Sequence, residues 1–310
     1  MTPDVISMGE PLLEFNATGA GSFREVRNYE VGWGGDTSNF AVAVSRLGGS
    51  VGYVCRLGDD DFGQIFLDLW QAEGVNTTHV IREEGASTGI YFISRRGVAH
   101  SFTYYRNNSA ASHLSPEDVP EEYIAGAKVF HTSGITQAIS NSACDAVFHA
   151  IDAARDAGVL VSYDPNVRLK LWGLRHARAV MLETIGLADF VLPSLDDGRI
   201  ITGLDDPEAI ASQLLEWGPQ AVALKMGDEG VLLATSGGLY RFGPFEVDVV
   251  DTTGAGDAFD GAFVVAYLQG RSLPECARFA NAAAALTTTG WGAVTPIPRG
   301  ADVETLLARA

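Results

Sequence analysis

Lysine is nearly missing from this chain: Lys128, Lys170 and Lys225 are all of it. Lysine and arginine together number 21 against 39 acids, a formal net charge of −18. A surface so short of positive charge argues against nucleic acid and anionic membranes as partners. It does not exclude an anionic small substrate, because a local arginine pocket can oppose the global field. Cysteine is scarce too. Cys55, Cys144 and Cys276 are scattered with no C-x-x-C, so neither a disulfide framework nor a zinc site follows. The histidines form no H-E-x-x-H. No apolar run approaches 18 residues, so no membrane span is expected. The first residues lack a basic start and carry Asp4, Glu10 and Glu14; they do not read as a signal peptide, and a cytoplasmic protein is expected. Neither a G-x-x-x-x-G-K-[ST] loop nor a strand-borne G-x-G-x-x-G is present.

What is there is a long, glycine-rich chain of 310 residues, 46% hydrophobic, with 35 glycines. The length allows one large α/β domain with room for a small insertion. Strand-like and helix-like stretches alternate. Strands are expected at 4–8, 51–58, 127–134, 159–166, 189–194 and 221–227. Helices are expected from Thr37, after "GWGGD", over "DDFGQIFLDLWQAEGV" (60–75, closed by Gly74), and at 140–157, 175–187, 207–216, 255–269, 274–289 and 302–309. That is the βαβ rhythm of a parallel sheet. Two segments break it. Residues 88–112 read as a hairpin around a Gly97 turn, and 12–35 are mixed, so the two together form a candidate small sheet apart from the main one. "GVLLAT" and "GLYRFGPFEVDVV" read as antiparallel edge strands, the latter ending in a strand at 245–250.

"DTTGAGDAFDGAF" (251–263) lies between that expected strand and an apolar helix. The first amides of a helix have no internal partners and carry the positive end of its dipole. Gly254, Ala255 and Gly256 leave them open to an anion such as a phosphate. Asp257 beside them has two readings. It complements the helix dipole, or it is a general base next to an anion hole, the layout that moves a phosphoryl group onto an alcohol. The residues alone leave both open. "KMGDEG" (225–230) is likewise a plain turn or a phosphate loop.

The stretch 251–263 closely resembles the C-terminal signature of the ribokinase-like (PfkB) sugar kinase family. "GGDTSNFAVAVSRLG" (34–48) resembles its N-terminal signature. The pair stands in the family's order, and the likeness spans essentially the whole chain. It implies a Rossmann-like three-layer α/β core (1–11, 36–87 and 113–310) with a β-sheet lid (12–35 and 88–112). The reaction implied is ATP-dependent phosphorylation of a sugar hydroxyl, with Asp257 as base and Gly254, Ala255 and Gly256 as anion hole. Lys225, Gly227, Gly230, Asp251 and Asn281 fall where the family lines its nucleotide site. The N-x-x-E motif linked to magnesium falls at "SLDD", with Ser194 for Asn and Asp197 for Glu. That is a departure from the family's pattern; an aspartate can still hold a metal-bound water. ATP and Mg²⁺ are the expected cofactors, and a monovalent cation is left open.

"TYYRNNSAAS" (103–112), "YDPNVRLKLW" (163–172) and "TGIYF" (88–92) bear on the substrate. Each reads as surface arginines and sheet-packing aromatics, or as a polar pocket. Two guanidiniums and tyrosine hydroxyls together suit a carboxylate-bearing substrate. The same stretches, with the opening "GEPLLEF", resemble the 2-keto-3-deoxygluconate kinase subgroup. By that resemblance Gly34, Gly35, Asn39, Tyr91, Tyr104, Arg106 and Arg168 hold a sugar acid. A neutral-sugar kinase such as fructokinase is the alternative, and a non-catalytic sugar- or nucleotide-binding regulator is the alternative of another class. Exposed lid strands in this architecture favour a homo-oligomer, a dimer first.

Overall fold

Alternate residues of the core strands feed two separate hydrophobic cores. Ala221 and Ala223 join one, Val222 and Leu224 the other; Val231 and Leu233 divide from Leu232 and Ala234 in the same way. Both faces of the sheet are therefore covered, which is why these strands are continuous apolar runs rather than amphipathic ones. The computed structural model describes residues 2–96 and 99–309.

In chain order the elements begin with β1 (Val5–Met8), β2 (Leu12–Ala20), β3 (Tyr29–Gly34), α1 (Asp36–Arg46), β4 (Val51–Gly58), α2 (Asp61–Glu73) and β5 (Asn76–Glu83). Then come β6 (Ile90–Arg96), β7 (Ala99–Tyr105), α3 (Glu121–Ala125), β8 (Val129–Ser133), α4 (Gly134–Ala138), α5 (Asn141–Asp156) and β9 (Leu160–Asp164). The chain continues through α6 (Leu174–Leu187), β10 (Phe190–Val191), α7 (Leu195–Thr202), α8 (Pro207–Glu216), β11 (Ala221–Lys225), β12 (Val231–Thr235) and β13 (Gly238–Phe242). It closes with α9 (Ala255–Leu268), α10 (Leu273–Thr287) and α11 (Gly300–Leu307).

The main sheet has nine strands in the order β13-β12-β11-β10-β9-β8-β1-β4-β5. All its pairings are parallel except β11–β12 and β12–β13. Helices α1, α2, α9, α10 and α11 cover one face; α3, α5, α6, α7 and α8 cover the other. From β1 the chain first winds one way, through β4 and β5, and then the other, through β8 to β11. The crevice at the carboxyl ends of such a reversal is where open α/β sheets bind ligands. A separate four-stranded sheet, ordered β3-β2-β6-β7, rises from that end. The Gly97 turn of the expected hairpin lies outside the described residues. No helix among the described residues is long and apolar enough to cross a membrane.

Four expectations need correction. Residues 245–250 form no strand. β13 is already the sheet edge, Pro244 lacks an amide to donate, and no neighbour lies beyond. Helices α3, α4 and α7 are additions to the expected elements; five, five and eight residues are too few to show a helical period. The strand expected at 189–194 shrinks to two residues, and the last helix begins two residues earlier than 302.

Candidate active site

The carboxyl ends of β1, β8, β9 and β11, the mouths of α1 and α9, and the small sheet enclose one cavity of about 1360 Å³. Asp257 lines it from the first turn of α9. Gly254 begins that turn at φ 77°, and a Cβ there would lie 2.5 Å from the Ala293 carbonyl oxygen. Only glycine suits such a position. No side chain caps α9. By contrast, Asp60, Ser140, Ser194 and Asp206 cap α2, α5, α7 and α8. The helix mouth formed by Thr252, Thr253, Gly254, Ala255 and Gly256 instead faces the cavity.

Asp257 does not turn back to cap its own helix. Its Oδ2 accepts a hydrogen bond of 2.8 Å from Asn39 Nδ2, on α1. Burial pushes its carboxyl up to about 7, and the neighbouring charge of Asp36 adds to the rise; the Asn39 hydrogen bond acts in the opposite direction. A carboxylate with that proton affinity is a far stronger base near neutrality than an exposed one.

Beneath the helix mouth lies Lys225, one of the three lysines. Its Nζ is 3.1 Å from Asp164, at the end of β9, and 2.9 Å from Asp260, on α9. Burial opposes the ammonium charge, but the two carboxylates overcome it and hold the group cationic. A Cβ on Gly256 would stand 3.5 Å from this ammonium. The two carboxylates match that charge, so the open amides and the helix dipole are the main attraction for an anion at the candidate anion hole. His131, stacked on Phe40 with ring centres 3.6 Å apart, is pushed down to about 3 by burial and stays neutral in the core.

One wall of the cavity is polar. Gly35, Asn39, Tyr91, Tyr104, Arg106 and Arg168 all line it, together with Glu10, Asp36 and Asn166. Gly35 has φ 96°, and a Cβ there would meet the Glu10 carbonyl oxygen at 2.3 Å. Gly34 is not on the wall. A Cβ on it would come within 2.5 Å of the Tyr91 hydroxyl, so it serves by making room for that ring. Tyr91 donates to Glu14 Oε2 at 2.5 Å and stacks on Tyr104.

The two arginines differ in a way the sequence does not reveal. Arg106 is buried, and its Nη2 is ion-paired with Glu10. Burial lowers its pKa to about 10, with the Arg168 charge contributing, which still leaves a cation at neutral pH. Its Nε has no hydrogen-bond partner among the described residues. Arg168 is exposed, donates only to its own neighbour's carbonyl, at Val167, and has no ion pair among the described residues. The signal for Glu10 is present in "GEPLLEF", but nothing in the sequence shows that it reaches a residue 96 positions away.

The other wall is largely apolar. Phe245, Val247 and Val249, from the segment expected as a strand, face the cavity, as do Ala284, Ala285 and Ala293. Gly227, Gly230, Ser194 and Asn281 also line it, Asn281 donating to the Gly243 carbonyl at 2.8 Å. Asp251 does not face the cavity. It braces the loop from behind, accepting from Thr253 N and Oγ1 and from Gly292 N. Asp197 lines the cavity, but its oxygens accept from Ser194 N, Ser194 Oγ and Val167 N. The "SLDD" stretch is thus a capping box opening α7. Among the described residues no group of three His, Cys, Asp or Glu side chains converges as a metal site.

The chain matches the family described as pfkB family carbohydrate kinase over residues 3–299. It is 35% identical over 308 residues to a 2-dehydro-3-deoxygluconokinase of Thermoproteus tenax, covering 98% of this chain and 94% of the relative. It is 36% identical over 318 residues to fructokinase-1 of Zea mays, covering 99% and 98%. Among solved structures, a putative ribokinase II from E. coli in complex with ATP and Mg²⁺ superposes with a TM-score of 0.93 at 27% identity, covering 99% of this chain and 100% of that one.

Proposed function

The chain belongs to the pfkB family of carbohydrate kinases, phosphotransferases acting on a sugar hydroxyl, and from that premise we propose that it phosphorylates the C6 hydroxyl of 2-keto-3-deoxygluconate (2-dehydro-3-deoxygluconate) with ATP. The product is 2-keto-3-deoxy-6-phosphogluconate. The observation that carries the choice of a sugar acid is the free guanidinium of Arg168, on the same cavity wall as Asp257.

The sugar carboxylate is held by Arg168, and Arg106 adds a partly compensated charge beside it. Tyr91 and Tyr104 pack against the carbon chain. The primary hydroxyl points at Asp257. Its proton passes to the Asp257 carboxylate as the oxygen bonds to the γ-phosphorus, and the bond from that phosphorus to the β-phosphate oxygen breaks, releasing ADP. The amides at 254–257 stabilise charge on the transferring group, above a Lys225 ammonium that is itself paired with Asp164 and Asp260. The nucleotide base lies along Phe245, Val247 and the α10 alanines. The cavity fits Mg²⁺ carried by phosphates and water rather than by a protein cage, since no carboxylate trio is assembled for it among the described residues. Asp197 would hold Mg²⁺ through water, and the ion would supply charge neutralisation at the phosphates. The four-stranded sheet acts as a lid that excludes water from the reacting groups.

Fructokinase-1 of Zea mays is as similar as the sugar-acid kinase, so a neutral ketohexose is the second reading. Arg168→Ala separates the two. On the sugar-acid reading, the variant raises KM for 2-keto-3-deoxygluconate about tenfold or more and leaves KM for ATP unchanged. An unchanged sugar KM contradicts it. Phosphorus NMR of the product, showing a phosphomonoester on the terminal carbon, checks the position of transfer.

A further inference from the structure

Arg46, in the last turn of α1, belongs to the "SRLG" end of the N-terminal signature and has no role in the steps above. A cation there ordinarily complements the helix dipole and its open carbonyls. Those carbonyls are already served by backbone: Leu47 N donates to Ala43, Gly48 N to Ser45 and Gly49 N to Val44. Arg46 reaches elsewhere. Its Nη1 donates to the carbonyls of Val294, Thr295 and Ile297 at 2.7, 3.2 and 2.9 Å, across 248 to 251 positions of chain. Its other edge grips Glu73, the last residue of α2, through Nε at 3.0 Å and Nη2 at 2.6 Å. The two side chains are only 12% and 13% exposed.

Residues 288–299 form neither helix nor strand, so their carbonyls have no ladder to join. One guanidinium collects three of them and is itself fixed by a bidentate carboxylate. The segment held in this way is the back of the helix mouth. Ala293 packs on Gly254 so closely that a Cβ on the glycine would stand 2.5 Å from the Ala293 carbonyl oxygen and 3.0 Å from its Cβ. Gly292 N donates at 3.1 Å to Asp251 Oδ2, and Asp251 Oδ1 receives Thr253 N and Oγ1. The loop opening α9 is thus seated on 292–293, and the chain just beyond, 294–297, is seated on Arg46.

We infer that Arg46, locked by Glu73, is a positioning residue for the anion hole: by fixing 292–297 it fixes the direction in which the amides at 254–256 point. This rests on the anion-hole reading above and deepens it. Neither Arg46 nor Glu73 lines the cavity, so neither touches sugar or nucleotide. Donors stabilise developing charge only where they are already aimed at it. A loosened mouth therefore slows transfer, while the opposite, polar wall still binds the sugar. The effect belongs to kcat rather than to the sugar KM.

The test is a mutant cycle. Arg46→Met removes every donor, Arg46→Lys keeps the charge without the fork, and Glu73→Gln removes the charge that locks the guanidinium. Kinetics are measured with Mg-ATP and whichever sugar the protein turns over, at a temperature where melting curves show each variant folded. Arg46→Met should lower kcat about ten- to hundredfold and leave the sugar KM within about twofold. Arg46→Lys should melt closer to wild type yet keep most of the loss in kcat, and Glu73→Gln should show a smaller loss. Val147→Ala, a core truncation on α5 across the sheet, should melt lower with kcat within about twofold of wild type. In Gly254→Ala the mouth is already displaced, so adding Arg46→Met should cost about threefold or less. If Arg46→Met does not fold, Arg46→Lys takes its place in the cycle. A loss of kcat that multiplies in full on Gly254→Ala, or that Val147→Ala reproduces, overturns the inference. Wild-type kcat in the Arg46 variants, with kcat lost in Gly254→Ala, overturns it and spares the anion hole. Wild-type kcat in Gly254→Ala overturns the anion hole, and this inference with it.

Discussion

In the proposed mechanism the chemistry turns on one carboxylate whose proton affinity the fold has changed. Asp257 is raised to about 7, first by burial and then by Asp36. As a base it works only when ionised, so kcat/KM should fall as pH drops below about 7. Asn39→Ala removes the one hydrogen bond that favours the charged form, and its acid limb should move to higher pH; a limb that stays in place contradicts the assignment. Linkage supplies a second signature. A carboxyl raised in the folded state contributes stability below its unfolded pKa and loses it as pH climbs toward 7. Asp257→Asn should therefore melt higher than wild type above about pH 7 and the same near about pH 4. The gain is on the order of a few kcal/mol, at about 1.4 kcal/mol per unit. The same variant should lose roughly 10²- to 10⁴-fold in kcat. A variant less stable at about pH 8, or comparably active, argues for an ordinary cap instead.

At the scale of elements, the helix mouth at 252–257 is a conformational device as much as a chemical one. Gly254→Ala forces a side chain into φ 77° and against Ala293, so the mouth must shift. We expect about 1–2 kcal/mol of lost stability and a fall in kcat larger than any change in sugar KM; steady-state kinetics beside thermal melts check both. This mouth is legible from its residues, because small, uncapped residues ahead of an apolar helix leave its first amides open to an anion. The long apolar strands are legible from a comparable cause, the covering of both sheet faces. Residues 245–250 are not. Their alternation has the period of a strand, but its cause is a cavity on one side and solvent on the other. The α7 capping box is hidden in a stretch that looks like a damaged metal motif. Arg106 reads from sequence as a free cation, because its partner Glu10 is brought to it only by the small sheet.

At the scale of the molecule, two covered faces and a reversal at β1 deliver side chains from distant parts of the chain to one crevice. Asn39 and Asp257 are 218 residues apart and share a hydrogen bond. No local pattern reports such a pairing; the resemblance in two signatures does. The small sheet leaves Val31 at 47%, Phe102 at 39% and Tyr105 at 64% exposure. We expect that sheet to pair with a second copy, giving a dimer in sedimentation analysis that Tyr105→Asp weakens. A monomer at all concentrations contradicts this.

The most direct measurement is ADP release with Mg-ATP across 2-keto-3-deoxygluconate, 2-keto-3-deoxygalactonate, gluconate, fructose, ribose and adenosine. The account predicts that the keto-deoxy acids are preferred and that Asp257→Asn abolishes their turnover. Preference for fructose or ribose would contradict the sugar-acid pocket, and ATP binding without turnover of any of them would contradict the kinase.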